Sequence, residues 1–417
     1  MRSSEPGKGH NRNAPVVPAG VQLAIGRRRL VAMTGGLALL GPLSIDAYLP
    51  AFADIQRDFH ASSTDLQLTL TGYLLAFACM SLMHGALSDA FGRRRVILFA
   101  LLAFALAALG CALSPSVGWL TAFRIVQGMS AGVGTVVGRA VIRDCFEGSA
   151  ATKLLALVTM IFSLSPALAP VFGGWVVTLF TWRVIFLTLF AYAVAMLMLC
   201  VRGLPETLPQ HARRPFGIGI MARQYVVVFG NRRFRLIAFA IALSFAGQFL
   251  YVASAPAFIG HELGLPPTEY AVMFVPIVAG IVLGSLAAER LAGRVASARL
   301  ILAGFSIQLV TDIVNVTFHA VHAATVPWSV LPLVFYAFGM SLATPGLTLA
   351  GLEQFPQMRG LAASCQAFAM LLLAALVTQL APTFGGRALA LGLVQGVLCI
   401  AAFASWLVTI RPYERNG

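Results

Sequence analysis

An aspartate lies inside the first long apolar segment of the chain, where a charge is costly. Residues 30–52 read LVAMTGGLALLGPLSIDAYLPAF, and Asp46 is the single charged residue among them. As a helix rising about 1.5 Å per residue, this segment would cross a hydrocarbon core of about 30 Å. An ionised carboxylate there costs several kcal/mol, so its presence indicates a function. The candidate roles are a proton or ion relay, a counter-charge for a substrate, and a structural ion pair with a nearby arginine.

The cation best placed to meet this carboxylate is Arg124, in the fourth apolar segment. If the first segment runs outward and the fourth inward, both side chains lie roughly 9 to 11 Å below the outer boundary at about 1.5 Å per residue. The two charges could then pair directly or through Gln127. Such a pair keeps the aspartate ionised, and a movement that separates the charges would favour proton uptake. Asp46, Arg124 and Gln127 are therefore the candidate proton-coupling residues.

A second intramembrane carboxylate, Asp312, lies near mid-depth in the ninth apolar segment, with Asn315 one turn further along. It is a candidate to contact a substrate or a proton, and the alternative is a structural role inside the C-terminal half. Aromatic and amide side chains could line an apolar cavity, although such residues in membrane helices more often serve packing or hydrogen bonding between helices. The cavity candidates are Tyr48, Tyr73, Phe245, Gln248, Tyr251, Asp312 and Tyr336.

The amino-acid composition indicates the class of protein in which these residues lie. The 417 residues are 59% hydrophobic and 11% charged, with a mean hydropathy of +0.85, whereas soluble domains carry about 25% charged residues. The chain is therefore a polytopic membrane protein. Its net charge of +14 does not indicate nucleic-acid binding, because the basic residues form short clusters between apolar runs. The six cysteines are scattered singly without metal-type spacing, so we expect no metal site.

Counting apolar segments gives about twelve candidate spans. The pattern predicts an all-α membrane protein with two pseudo-symmetric six-helix bundles. Arginine clusters precede the first segment, follow the second and fourth, and crowd the central loop, whereas the opposite loops carry little beyond Arg57, Arg183 and Arg387. By the positive-inside rule, the arginine-rich side and both termini are cytoplasmic.

The longest polar stretch inside the chain lies near its middle and divides it into two halves. We predict a disordered tail at 1–26, an N-terminal bundle at 27–202, a cytoplasmic linker at 203–233, a C-terminal bundle at 234–411 and a tail at 412–417. A cleaved secretory signal is the rival interpretation of the N-terminus. The apolar run is, however, longer than the apolar region of a signal peptide.

Short internal repeats support the two halves. The tripeptide Pro-Ala-Phe at 50–52 recurs at 256–258, and Gly-Arg at 92–93 recurs at 293–294. Parallel repeats of this kind are typical of transporters whose binding site lies between the halves. When the halves are aligned on Pro-Ala-Phe, a valine corresponds to Asp46, so the carboxylate belongs to the N-terminal half alone.

The loop after the second segment carries the pattern GALSDAFGRRR at residues 85–95. Gly85 permits close approach of another helix, Asp89 can stabilise the N-terminus of a neighbouring helix, and Gly92 supplies the tight turn before Arg93. We expect these four residues to form a conformational latch. The alternative is an ordinary cytoplasmic turn, which by itself would account for the arginines.

This pattern resembles the loop signature of the major facilitator superfamily, and the resemblance extends over nearly the whole chain. RIVQGMSAG at 124–132 is similar to a motif of this superfamily that is associated with proton coupling. SPALAPVFGG at 165–174 resembles the motif of its drug/proton antiporters, although Ser165 stands where glycine is usual. The matching antiporter residues are Pro166, Pro170, Gly173 and Gly174.

The first segment narrows the family. SIDAYLPA at 44–51 is similar to the signature of the Bcr/CflA group of bacterial multidrug, bicyclomycin and chloramphenicol exporters. The resemblance implies that Asp46 is the protonation site of an antiporter in the bacterial inner membrane. The expected partners are a small-molecule substrate, protons and membrane lipid, with no nucleic acid, and the expected state is a monomer.

Two other functional classes agree less well with the sequence. A symporter or facilitator for a nutrient would need a site dense with polar groups, whereas this chain offers mainly aromatic and aliphatic lining. An intramembrane enzyme would need a nucleophile and a base, or a metal set. The sequence contains no such constellation, so we expect no enzyme activity and no cofactor, with the proton gradient as the energy source.

Overall fold

The computed structural model describes residues 26–213 and 215–410, and this part of the chain is almost entirely helical. The predicted tails at 1–26 and 412–417 lie outside the described residues, apart from Gly26. The α-helices of the N-terminal half are α1 (Arg27–Asp46), α2 (Phe52–Phe59), α3 (Ser63–Phe91), α4 (Arg93–Ala112), α5 (Val117–Ala131), α6 (Val133–Cys145), α7 (Gly148–Leu179) and α8 (Arg183–Gly203). They are followed by α9 (Ile218–Gly230), α10 (Arg232–Ala257), α11 (Ala271–Leu291), α12 (Ser297–Val321), α13 (Leu331–Glu353), α14 (Arg359–Leu380) and α15 (Ala388–Ile410).

The described residues form 12 segments that are long and apolar enough to cross a membrane. The first span combines α1 and α2, the fourth combines α5 and α6, and every other span contains one of the remaining long helices. Six spans precede α9 and six follow it, so the prediction of two six-helix halves is confirmed.

The helix of the first span is interrupted directly after Asp46. The sequence predicted one helix ending near Phe52, but α1 ends at Asp46, a 3-10 turn covers Leu49–Ala51, and α2 continues the span. Pro50 explains the break, because a proline has no N–H and its ring clashes with the carbonyl four residues earlier. That carbonyl belongs to Asp46.

Glycines allow the helices within each half to approach closely. A Cβ atom built on Gly128 of α5 would lie 2.2 Å from the carbonyl oxygen of Tyr73 in α3. In the other half, a Cβ on Gly284 of α11 would lie 2.3 Å from the carbonyl oxygen of Phe338 in α13. Such backbone contacts are typical of membrane helices, where small residues replace the hydrophobic effect as the basis of association.

The two halves meet at the end where α3 begins and α10 ends, which is the outer end in the predicted orientation. The Gln67 amide nitrogen donates a hydrogen bond to the carbonyl oxygen of Ala253, at 2.9 Å. Nearby, a Cβ on Gly174 of α7 would lie 2.0 Å from the carbonyl oxygen of Pro267. The outer end is therefore closed.

The central linker is more ordered than its polar ends suggest. The sequence predicted a linker at 203–233, and the structure places helix α9 within it and begins α10 at Arg232. Val228 of α9 is fully buried in a cluster with Phe234 and Cys365. The apolar run in α9 is too short to span a membrane, so counting apolar segments of spanning length does not reveal this helix.

Candidate functional site

Asp46 occupies the C-terminal end of α1 and is 4% exposed. Within the described residues, its carboxylate takes part in none of the ion pairs. The next residue, Ala47, closes the helix by donating its N–H to the Leu43 carbonyl. A carboxylate at this position also faces the negative end of the helix dipole, which disfavours a second negative charge. The ionised form of Asp46 therefore has little local compensation.

Arg124 lies on α5 and its side chain is fully buried. One guanidinium nitrogen donates both to the carbonyl oxygen of Ser44, at 3.0 Å, and to the Gln127 side-chain oxygen, at 2.6 Å. The arginine therefore reaches the helix turn that contains Asp46, but it binds the backbone and not the carboxylate. Its remaining two side-chain nitrogens and the Gln127 amide nitrogen have no hydrogen-bond partner in the described part of the chain. A direct ion pair between Asp46 and Arg124, which depth alone suggested, is absent from this arrangement of the described helices.

Two tyrosines explain how the guanidinium is tolerated there. Its central carbon lies 4.8 Å from the ring centroid of Tyr48 and 4.3 Å from that of Tyr73. A desolvated cation–π contact is worth about 2 kcal/mol. Tyr48 is fixed by a 2.8 Å hydrogen bond with Thr69, and the Ser44 hydroxyl donates to Tyr73 at 2.8 Å. Two of the predicted cavity residues thus form an aromatic cage around Arg124 inside the N-terminal half.

The Pro/Gly motif of α7 contacts both the broken first span and the opposite half. A Cβ on Gly173 would lie 2.2 Å from the carbonyl oxygen of Ala47, whereas its neighbour Gly174 faces Pro267. Helix α7 continues through Pro166 and Pro170 without a break. Two consecutive glycines therefore connect the neighbourhood of Asp46 with the contact that closes the outer end.

The loop at the other end of α3 forms an ionic network within the N-terminal half. Arg93 pairs with Asp89 and, at 3.1 Å, with Asp144 of α6, while its backbone N–H donates to Glu206 at 2.9 Å. Gly92 adopts φ +98°, and a Cβ there would lie 2.3 Å from a Glu206 oxygen, so only glycine fits. Asp144, near the end of the fourth span, and Glu206, which follows the sixth span, were not among the residues predicted from the sequence.

Within the described residues, the latch predicted from this loop makes no contact with the C-terminal half at Gly85 or Asp89. The Asp89 side chain is 42% exposed and is held by Arg93 of its own loop. A Cβ on Gly85 would meet, among the described atoms, Val136 of α6 alone, at 3.9 Å. An open latch agrees with the closed outer end, because alternating access opens one end when the other closes.

In the C-terminal half, Asp312 is 5% exposed and lies against Gly396 of α15, where a Cβ would be 2.1 Å from the carboxylate. Asn315 donates to the Tyr251 hydroxyl at 2.8 Å, and the Tyr336 hydroxyl donates to the carbonyl of Ser244 at 3.1 Å. These two tyrosines are therefore buried within their own half.

The remaining cavity candidates lie on α10. Phe245 stacks on Phe249 with ring centroids 5.7 Å apart. Gln248 is buried, and neither atom of its amide has a partner within the described residues. The predicted cavity residues therefore form two groups, one in each half, and their role in binding a substrate stays a prediction.

Each half contains a buried donor to the backbone of its own first span. Arg124 of the fourth span donates to the carbonyl of Ser44 in the first, and Tyr336 of the tenth span donates to the carbonyl of Ser244 in the seventh. The donor is a guanidinium in the N-terminal half and a phenol hydroxyl in the C-terminal half. Among the described residues, the side chains of His, Cys, Asp and Glu form no group able to hold a metal ion.

Comparison with known proteins agrees with this architecture. The sequence model of the Major Facilitator Superfamily matches residues 34–378. The chain belongs to this superfamily. The resemblance found in the loop after the second span is therefore confirmed, and the protein is a multi-pass membrane transporter.

Individual relatives of this major facilitator come from bacteria. An uncharacterized MFS-type transporter of Bacillus subtilis, YdgK, is 32% identical over 90% of this chain and 93% of its own. The bicyclomycin resistance protein homolog of Haemophilus influenzae is 28% identical over 79% and 83% of the two chains. Multidrug resistance protein D of Escherichia coli is 28% identical over 93% and 97%.

A solved structure shows the same fold. The human organic anion transporter MFSD10 matches this major facilitator with a TM-score of 0.68 and 19% identity, over 92% of this chain and 99% of the other. At this identity the match concerns the arrangement of the helices.

Proposed function

We propose that this major facilitator is a proton-coupled antiporter that exports small amphiphilic compounds, including drugs, across the bacterial inner membrane. The names of its relatives in Haemophilus influenzae and Escherichia coli support bicyclomycin-type or multidrug export. A further relative, the chloramphenicol resistance protein CraA of Acinetobacter baumannii, is 28% identical over 72% of both chains. The proton gradient supplies the energy, and no cofactor takes part.

The observation that carries the proposal is the position of Asp46. Its carboxyl group is buried, lies at a helix break and has no ion-pair partner among the described side chains. Charge on such a group is costly, and proton uptake removes that cost. Proton binding therefore changes the relative energies of conformations in which the group is buried or hydrated.

Arg124 supplies the second part of the coupling device. Its guanidinium is already bonded to the turn that contains Asp46, so a small movement of the broken span would bring carboxylate and cation together. In the proposed cycle, a proton from outside neutralises Asp46, weakens its attraction to Arg124 and permits the halves to rock. Release of the proton inside restores the charge and prepares the site for a substrate.

The glycine pair of α7 can couple proton binding at Asp46 to movement of the two halves. Gly173 touches the residue after Asp46 and Gly174 touches the C-terminal half, so a shift of the broken span is transmitted to the outer contact. A nutrient symporter or facilitator remains the alternative, and the direction of proton movement separates the two.

We also propose that both termini are cytoplasmic and that the transporter acts as a monomer in the lipid bilayer. The arginine clusters at one end of the spans support this orientation. The test uses single cysteines, Pro209→Cys and His261→Cys, in a variant without the six natural cysteines. A membrane-impermeant thiol reagent added to intact cells should label position 261 and not position 209. The reverse pattern would overturn the orientation.

The function itself is tested with inverted membrane vesicles acidified inside. Chloramphenicol and a panel of other amphiphilic compounds are added while a fluorescent dye reports the internal pH. An antiporter moves the compound into the vesicle and protons out, so its substrates should raise the internal pH. Substrate-dependent acidification, or transport without any pH change, would contradict antiport.

A further inference from the structure

The C-terminal half contains a buried carboxyl group that has no role in the proposed cycle. Asp312 of α12 is 5% exposed and lies against the backbone of α15 at Gly396. The absence of a side chain on Gly396 is what makes room for it, since a Cβ there would lie 2.1 Å from one carboxylate oxygen.

In the part of the chain that the structure describes, no positively charged side chain pairs with Asp312. The titratable side chains nearest to it on the adjacent helices are Tyr251 of α10, Tyr336 of α13 and Cys399 of α15. On its own helix, His319 lies two turns away, where its ring contacts the Asn315 carbonyl and the Ser329 hydroxyl. Asp312 takes part in none of the ion pairs formed by the described residues.

The hydrogen-bond donors near Asp312 are used elsewhere. The Asn315 amide donates to Tyr251, and the Tyr336 hydroxyl donates to the Ser244 carbonyl. One Asp312 oxygen, Oδ1, is buried and has no partner in the part of the chain that the structure describes. A carboxyl with a purely structural role would be hydrogen-bonded, because a buried polar group without a partner is destabilising.

We propose that Asp312 is a second proton-binding site, carried by the C-terminal half. Its carboxylate takes a proton from water at one side of the membrane, forming an O–H bond, and returns it to water at the other side. This inference rests on the proposed proton coupling. It adds that each half carries one titrating carboxyl, Asp46 in the first span and Asp312 in the ninth.

The direct test is infrared difference spectroscopy of the purified full-length transporter on a change of pH. A protonated carboxyl has a C=O stretch that disappears on deprotonation. We expect one such band to persist in Asp46→Asn and to be missing from Asp312→Asn. The variant Asp54→Asn is the control, since the Asp54 side chain is 32% exposed and already pairs with Arg57. Superimposable spectra for wild type and Asp312→Asn would overturn the proposal.

A second variant keeps the test decisive if Asp312→Asn does not fold. Gly396→Ala retains the carboxyl but forces it to move, whereas Gly219→Ala, where a Cβ meets nothing within 4 Å, is a matched control. We expect the band, or the pH of its disappearance, to shift in Gly396→Ala alone. An unchanged band would show that the signal does not come from Asp312.

Transport in proteoliposomes separates this inference from the proposed function. Chloramphenicol carries no charge, so charge moved per molecule counts protons. Asp312→Asn should move one proton fewer per chloramphenicol than wild type. An unchanged ratio would refute the second site alone, while a wild-type protein that moves no protons with any compound of the panel would refute the proposed function.

Discussion

Gly173 lies directly against the backbone carbonyl of Ala47, the residue that follows Asp46. The contact joins the fifth span to the break in the first, and the next residue of the fifth span contacts Pro267 in the other half. The antiporter motif therefore has a physical role that its sequence alone does not reveal. It links the backbone next to Asp46 to the contact between the halves that closes the outer end.

The first prediction concerns this contact. Gly173→Ala places a methyl group 2.2 Å from the Ala47 oxygen, so α7 must move away from the broken span. Forcing a side chain into a packed contact costs about 1–3 kcal/mol, and a conformational equilibrium biased by that energy shifts about 5- to 150-fold. We expect proton-coupled efflux in inverted vesicles to fall accordingly.

Gly118→Ala is the matched control for this substitution. It adds the same methyl group to α5, where the nearest atom is 3.9 Å away. This variant should transport normally. Equal activity of the two alanine variants would remove the mechanical role of Gly173.

The second prediction concerns the cage around Arg124. Arg124→Ala leaves the Gln127 oxygen without its donor, which costs about 1–3 kcal/mol of stability. Arg124→Lys keeps the charge but loses the flat guanidinium that stacks between Tyr48 and Tyr73. Both variants should bind substrate in detergent and fail to couple its transport to protons.

The measurement compares thermal unfolding, substrate binding and pH-driven efflux in the same preparations. Arg57→Ala, which removes an exposed arginine from the same half, serves as the control. If Arg124→Lys transported as well as wild type, the geometry of the guanidinium would be irrelevant to coupling.

The third prediction concerns the latch. In the state with the cytoplasmic end closed, we expect Asp89 to meet the N-terminus of α14, which begins at Arg359. A carboxylate there contributes about 0.3–1 kcal/mol, so Asp89→Asn should shift the balance toward the inward-open state about two- to fivefold. Cysteine accessibility at the two ends of the spans measures this balance. No change in accessibility and no change in transport rate would eliminate the latch.

Much of the architecture follows from local properties of the sequence. Segment length and hydropathy predict the twelve spans, and the two short repeats predict the halves. The break after Asp46 could also have been read from Pro50, because a proline excludes the helical hydrogen bond four residues earlier. Helix α9 was missed because its apolar run is shorter than a span.

The site was harder to predict because side-chain contacts depend on how each helix is rotated about its axis. The predicted depth in the membrane placed Asp46 and Arg124 at the same level. The rotation of the helices about their axes, however, directs the guanidinium to the Ser44 carbonyl and between two tyrosines. Asp144 and Glu206 meet Arg93 from distant parts of the chain. Their partnership has no signature in sequence spacing.

The central claim, that Asp46 carries the coupled proton, is tested most directly by substrate-induced proton release. Purified wild-type protein and Asp46→Asn are titrated in weakly buffered detergent solution with a compound that the vesicle assay identifies as a substrate. Asp54→Asn again serves as the control. The wild type and the control should release protons on binding, whereas Asp46→Asn should bind the compound, release fewer protons and lose proton-driven efflux. Proton release and coupled efflux at wild-type levels in Asp46→Asn would contradict the account.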